Sequence, residues 1–168
     1  MKYVSITLRI PSSLHEVLKL EAKRSEKTLE EYVLDLILRS LNAETSIKVY
    51  QELYERYLEE AKKYFEKGEL SQAGEKYWGA TTALLNIVAL RRGWRHYSHR
   101  DYSDIVERIA EELKNPVISK LFAIAERLHA NYYHSFIRSK ELFDDYRREV
   151  IRLCKLLEEY IKSITSRS

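Results

Sequence analysis

Residues 68–93 read GELSQAGEKYWGATTALLNIVALRRG, a run of helix-forming residues bounded by two glycines. Ala73, Tyr77, Ala80, Leu84, Ile87 and Val88 recur at three- and four-residue intervals, which predicts a helix from about Leu70 to Arg92 with that face inward. Gly93 is placed to end it, and Gly68 to end the helix before it. That earlier helix carries Ile47, Tyr50, Tyr54, Tyr57, Leu58, Ala61, Tyr64 and Phe65 on one broad face, so the two should pack as an antiparallel hairpin. The tyrosine stripe reads as core rather than as a stacking platform, because no basic residues interleave it on the same face. The hairpin superficially resembles a single tetratricopeptide unit, but one unit does not make an array.

Downstream, GWRHYSHRD from Gly93 to Asp101 is the least regular stretch and is read as a loop. Asp101 or Ser103 should cap a helix bearing Ile105, Ile109 and Leu113, which Asn115-Pro116 stops. A further helix is expected from Val117 to Tyr133, with Val117, Leu121, Ile124, Leu128 and Tyr132 as its buried stripe. A long last helix should run from Ser139 to about Ile164. These segments predict an all-α antiparallel bundle of about five helices over residues 46–168.

Upstream the period changes. Val4, Ile6, Leu8 and Ile10 alternate with Ser5, Thr7 and Arg9, which predicts one half-buried strand from Lys2 to Ile10. A lone strand leaves its backbone groups unpaired, and pairing with the same strand of a second copy would satisfy them, so a homodimer is expected. Pro11 and Ser12 open a helix that should break at Ser25 to Lys27, and Thr28 with Glu31 forms a capping box for the next. The segment SITLRIPSSLHEVLKLEAKRSEKTLEEYVLDLILRSL resembles a ribbon-helix-helix module, with SEKT in place of the usual interhelical glycine. That resemblance implies DNA contacts from Ser5, Thr7 and Arg9, or dimerisation without DNA. Residues 1–45 are therefore read as a strand-helix-helix appendage, with the boundary at Asn42 to Ser46.

The chain has 29 Lys and Arg against 26 Asp and Glu, so its surface mixes both signs: nucleic-acid binding is permitted but not demanded. Cys154 is the only cysteine, which excludes an intrachain disulfide and a thiolate zinc site. No apolar run is long enough to span a bilayer and no signal-peptide pattern opens the chain, so a cytoplasmic protein with no membrane partner is expected. The glycines punctuate helices and form no phosphate-binding loop, so no cofactor is expected.

On the helix from Val117, Arg127, Asn131 and His134 lie off the apolar stripe. Positions four and seven residues after Arg127 return to within about 40° of its direction, so the three form a polar line about 10 Å long. An arginine supplies a permanent charge for a phosphate, a histidine exchanges a proton near neutral pH, and an asparagine orients either partner. The plainer interpretation pairs Arg127 with an acid of the last helix and leaves His129 and His134 bonded to tyrosines or backbone. In the loop, His96, His99 and Arg100 either cap the next helix or, with His129, line a ligand or RNA site. Their spacing offers no evident third metal ligand, and no metal is expected.

RLHANYYH, with arginine and histidine separated by six residues, resembles the signature of HEPN domains. More closely, GELSQAGEKYWGATTALL, RGWRHYSHRDYSDIVERI and LFAIAERLHANYY are similar to the archaeal PaREP family, an offshoot of that superfamily, over about Tyr57 to Tyr160. The resemblance implies two protomers that set their arginine-histidine pairs across a cleft and cut RNA without metal. Arg127 would then stabilise the phosphorane and His134 would assist proton transfer. Leu128 stands where the nucleases have a polar residue, and the PaREP pattern emphasises His129 and Asn131.

Two functions are therefore expected. The first is a HEPN-like helical dimer without catalysis that binds nucleic acid, a nucleotide or a protein partner. The alternative is a metal-independent endoribonuclease or toxin-antitoxin-type factor using Arg127 and His134, with DNA bound by the N-terminal ribbon.

Overall fold

The computed structural model describes residues 4–166. Those residues hold seven helices and no strand, so the all-α expectation holds and the N-terminal strand does not form. Residues 4–10 have neither helical nor ladder hydrogen bonding, and Val4, Ile6 and Leu8 are exposed; Lys2, where the strand was to begin, lies outside the described residues. Alternation alone does not make a strand: a ladder needs a second extended segment, and every later described segment of any length is helix or connector. With the ribbon absent, Ser5, Thr7 and Arg9 are exposed residues of irregular backbone rather than members of a DNA-reading strand.

The chain divides into two compact units, Met1–Ser46 and Ile47–Ser168. In the first, α1 (Ser12–Arg24) packs on α2 (Leu29–Arg39). Lys27 N donates to Ala22 O at 3.0 Å, which closes α1, and Glu26 takes the left-handed conformation (φ 53°) that the missing glycine would favour. The capping box forms as expected: Glu31 N donates to Thr28 Oγ1 at 3.2 Å and Thr28 N to Glu31 Oε2 at 3.0 Å. Asn42 accepts from Thr45 N at 2.9 Å and so starts α3 (Ala43–Lys67), which runs on into the second unit.

The second unit comprises the rest of α3 with α4 (Leu70–Arg92), α5 (His99–Glu112), α6 (Val117–His134) and α7 (Lys140–Thr165). Gly68 and Gly93 take φ of 79° and 67°, so both glycines end helices as the sequence implies. α4 is buried around nearly its whole circumference and packs against α5, α6 and α7. Its small residues make this possible. The Leu128 carbonyl oxygen lies 2.6 Å from where a Cβ on Gly74 would sit, and the Tyr57 ring lies 3.0 Å from one on Gly79. Tyr57 against Gly79, and Glu60 in an ion pair with Lys76 at 3.0 Å, set α3 and α4 antiparallel. Tyr50, Tyr54 and Tyr57 are buried, as a core stripe should be.

The buried face of α6 is rotated from the expected one. Ile118, Leu121, Phe122, Ala125, Leu128, His129 and Asn131 are buried, whereas Val117, Ile124 and Tyr132 are only partly so. The start of α5 also differs. Ser98 is the N-cap and Asp101 the third helical residue, with Asp101 N donating to Ser98 Oγ at 3.2 Å and Ser98 N to Asp101 Oδ2 at 2.9 Å. At the far end Arg92 joins Glu112 at 2.5 Å and the Tyr160 hydroxyl at 2.6 Å, tying α4 to α5 and α7.

Candidate functional site

Two groups of side chains meet around α6. In the first, the buried indole of Trp78 stacks with His99 at 5.0 Å and with His129 at 4.8 Å, and the two imidazoles lie 6.0 Å apart. Tyr102 meets the indole edge-on at 6.2 Å. His129 Nδ1 is 2.7 Å from Glu75 Oε2, and both residues are buried. His99 Nε2 is 2.7 Å from Glu126 Oε1.

The backbone explains this meeting. Gly74 lets α4 approach the Leu128 carbonyl, and the next residue on each helix is Glu75 and His129, so the close crossing brings acid and imidazole within one hydrogen bond. His99 arrives as the first residue of α5, positioned by the Ser98 and Asp101 capping box. Burial pushes the Asp101 carboxyl up, but hydrogen bonds from Tyr97 N and from the Ser98 hydroxyl and N, with the Arg95 charge beyond, outweigh it and hold the group below its usual value.

The second group is an edge of cations and aromatic rings at the C-terminal end of α6. Arg127 is exposed and its guanidinium lies 4.9 Å from the Phe136 ring and 5.5 Å from that of Tyr146. Among the described residues no carboxylate pairs with it. Tyr133, His134, Phe136 and Arg138, at and just after the end of α6, are exposed as well. The Tyr133 ring meets His129 edge-on at 5.3 Å.

Of the sequence-derived line, Arg127 and His134 are thus at the surface, and α6 is unbroken between them, which keeps them about 10 Å apart along its axis. Asn131 does not join them. It is fully buried, and its Oδ1 accepts from Ile137 N at 2.7 Å, pinning the turn between α6 and α7. His99 and His129 come together, while His96 is buried with Nδ1 3.2 Å from Trp94 O and its ring against Tyr97, and Arg100 is exposed. Glu75, Trp78 and Glu126 were missed by sequence reasoning. The signal for Glu75 was a carboxylate directly after a glycine on an Ala- and Gly-rich helix, where close backbone packing leaves no room for solvent.

The matching family profile is that of the archaeal PaREP1/PaREP8 family, over residues 49–154. The chain belongs to this family. Comparison with curated proteins and with solved structures returned no match. The PaREP1/PaREP8 match starts in α3 and ends at Cys154 in α7, so both groups around α6 lie within it and α1 and α2 lie outside. No helix among the described residues is long and apolar enough to cross a membrane.

Proposed function

We propose that the bundle binds single-stranded nucleic acid, RNA first, without cutting it, through the edge formed by Arg127, Tyr133, His134, Phe136 and Arg138. The observation that carries this reading is the state of Arg127: exposed, with its guanidinium against the rings of Phe136 and Tyr146, and paired with no carboxylate among the described residues. An exposed guanidinium offers its N–H groups to a phosphate, and the exposed Phe136 ring beside it offers a surface to a base. Stacking of a base on such a ring contributes about 1–3 kcal/mol. The resemblance of RLHANYYH to the HEPN signature supports the same ligand class.

The burial of Asn131 favours binding over cleavage. A catalytic line would need that amide to reach the substrate, and it is instead committed to the Ile137 backbone. The exposure of both Arg127 and His134 favours a second reading, in which two copies of the chain bring these groups together and RNA is cut by its own 2′-hydroxyl.

One experiment separates them. Labelled RNA is incubated in chelator with wild type, Arg127→Ala and His134→Ala, and both anisotropy and strand length are followed. Binding without cleavage, weakened about tenfold or more in Arg127→Ala, is the expected result, since a guanidinium-phosphate contact is worth about 1.5–3 kcal/mol. Cleavage lost in both variants would establish the nuclease, and no binding by wild type would defeat both readings.

A further inference from the structure

The two compact units differ in how well they cover their apolar side chains. Among the described residues fifteen large apolar side chains are exposed, and ten of them belong to the short unit Met1–Ser46. That unit contributes only two buried apolar side chains, Ala22 and Leu38, and has no cysteine that could brace it. A unit of this length with so small a core gains its stability by association.

Helical geometry says where the uncovered surface lies. At about 100° per residue, Leu29, Val33, Leu36 and Ile37 fall within an arc of about 100° on α2, and no charged residue of the helix shares that arc. Leu38 lies about 150° from the middle of the arc, so α2 has a second apolar face roughly opposite its buried residue. Leu36 and Ile37 are exposed, and so is Leu41 just beyond the helix. A helix that is apolar on most of its sides belongs in an interior. Leu14, Val17 and Leu20 make a comparable exposed stripe on α1, but the ion pair of Arg24 with Glu21 at 2.6 Å interrupts it, which leaves α2 with the more continuous face.

We propose that a second copy of this chain covers the outer face of α2, packing α2 against its own equivalent about a two-fold axis. Two helices enclose no core, whereas two such pairs make a four-helix arrangement that does. The ten exposed apolar side chains of the unit present an area of the same order as the ~800 Å2 that each partner of a stable pair covers. Charge selects the occupant. Residues 1–46 carry seven Lys and Arg against seven Asp and Glu, so the unit is neutral overall. A nucleic acid or an anionic bilayer calls for a basic excess, while two identical neutral surfaces meet without net repulsion. The contact is between helices and needs no paired strand.

The test is the mass of the full-length protein in solution, by sedimentation equilibrium across about 1–100 μM. Wild type should sediment as twice its 20.0 kDa chain, with a Kd below about 10 μM. Leu36→Glu combined with Ile37→Glu changes two exposed positions, so helicity should be retained while association weakens by about 100-fold or more. Leu142→Glu, at an exposed apolar position of α7, should associate as wild type does. A second measurement is independent of stability: under mild oxidation Ile37→Cys should form a disulfide-linked dimer and Leu142→Cys should not, since the native Cys154 is buried. A monomeric wild type throughout the range, association unchanged in the Leu36 and Ile37 double variant, or equal cross-linking at positions 37 and 142 would overturn the proposal.

Discussion

Replacing Gly74 by alanine tests the packing on which both groups around α6 depend. The new Cβ would lie 2.6 Å from the Leu128 carbonyl oxygen and 3.3 Å from its carbonyl carbon. A carbon-oxygen contact of this kind relaxes at about 3.3 Å, so α4 and α6 must part locally by about 0.7 Å. The obstructing atom is helix backbone and cannot swing aside as a side-chain end does. Overpacking of this sort costs about 1–3 kcal/mol, and the better helix propensity of alanine offsets up to about 1 kcal/mol, leaving a net loss of about 1–2 kcal/mol. For a domain of this size that lowers Tm by about 2–8 °C. Thermal and urea unfolding monitored by far-UV circular dichroism provide the assay. Gly79→Ala is the comparison: there the obstruction is the Tyr57 ring at 3.0 Å, which can tilt, so a smaller loss is expected. If Gly74→Ala is as stable as wild type, the close crossing of α4 on Leu128 is not as described.

Burial pushes the Cys154 thiol up to about 12, against the smaller lowering effect of its contact with Thr81 Oγ1 at 3.8 Å, so it should react with a disulfide reagent only in denaturant. Rapid labelling of the native protein would contradict this. The Asp101 carboxyl, held below its usual value, contributes stability that is present above its unfolded pKa of about 4 and lost as pH falls through the folded value. Asp101→Asn should therefore flatten the stability profile below about pH 4 and cost about 1 kcal/mol at neutral pH, read from unfolding curves across that range. His129→Ala removes the imidazole from the buried contact with Glu75 and should cost about 3–5 kcal/mol; a loss under 1 kcal/mol would mean the pair is not formed in solution.

The helices of the second unit were legible because their stops are chemical. Gly68, Gly93 and the Asn115-Pro116 pair each interrupt a strong apolar period, and Ser139 accepts from Leu142 N at 3.2 Å as a cap should. The phase of α6 was not legible. Val117, Ile118, Leu121, Phe122, Ile124, Ala125 and Leu128 cover an arc of about 160°, close to half its circumference, so periodicity alone allows several inner faces. What selects among them is tertiary: Glu75 for His129, and the Ile137 amide for Asn131. The polar line from Arg127 was drawn on the wrong phase, which is why its middle member is buried while its ends stay exposed. At α5 the Ser98-to-Asp101 spacing was readable as a capping box, yet the apparent irregularity of GWRHYSHRD hid it. The N-terminal alternation failed for the opposite reason, a clear local pattern with no partner strand among the described residues to realise it.

The most direct test of nucleic-acid binding is the salt dependence of affinity for a short labelled oligouridylate, measured by anisotropy in chelator for wild type and Arg127→Gln. Each phosphate contact on a single strand releases counterions and contributes about 0.7 to the slope of log K against log salt. Wild type should weaken steeply with salt, and the variant should bind less tightly with a slope reduced by roughly one contact. Salt-independent binding, or identical slopes and affinities for the two proteins, would contradict the assignment of the α6 edge as the phosphate-binding surface.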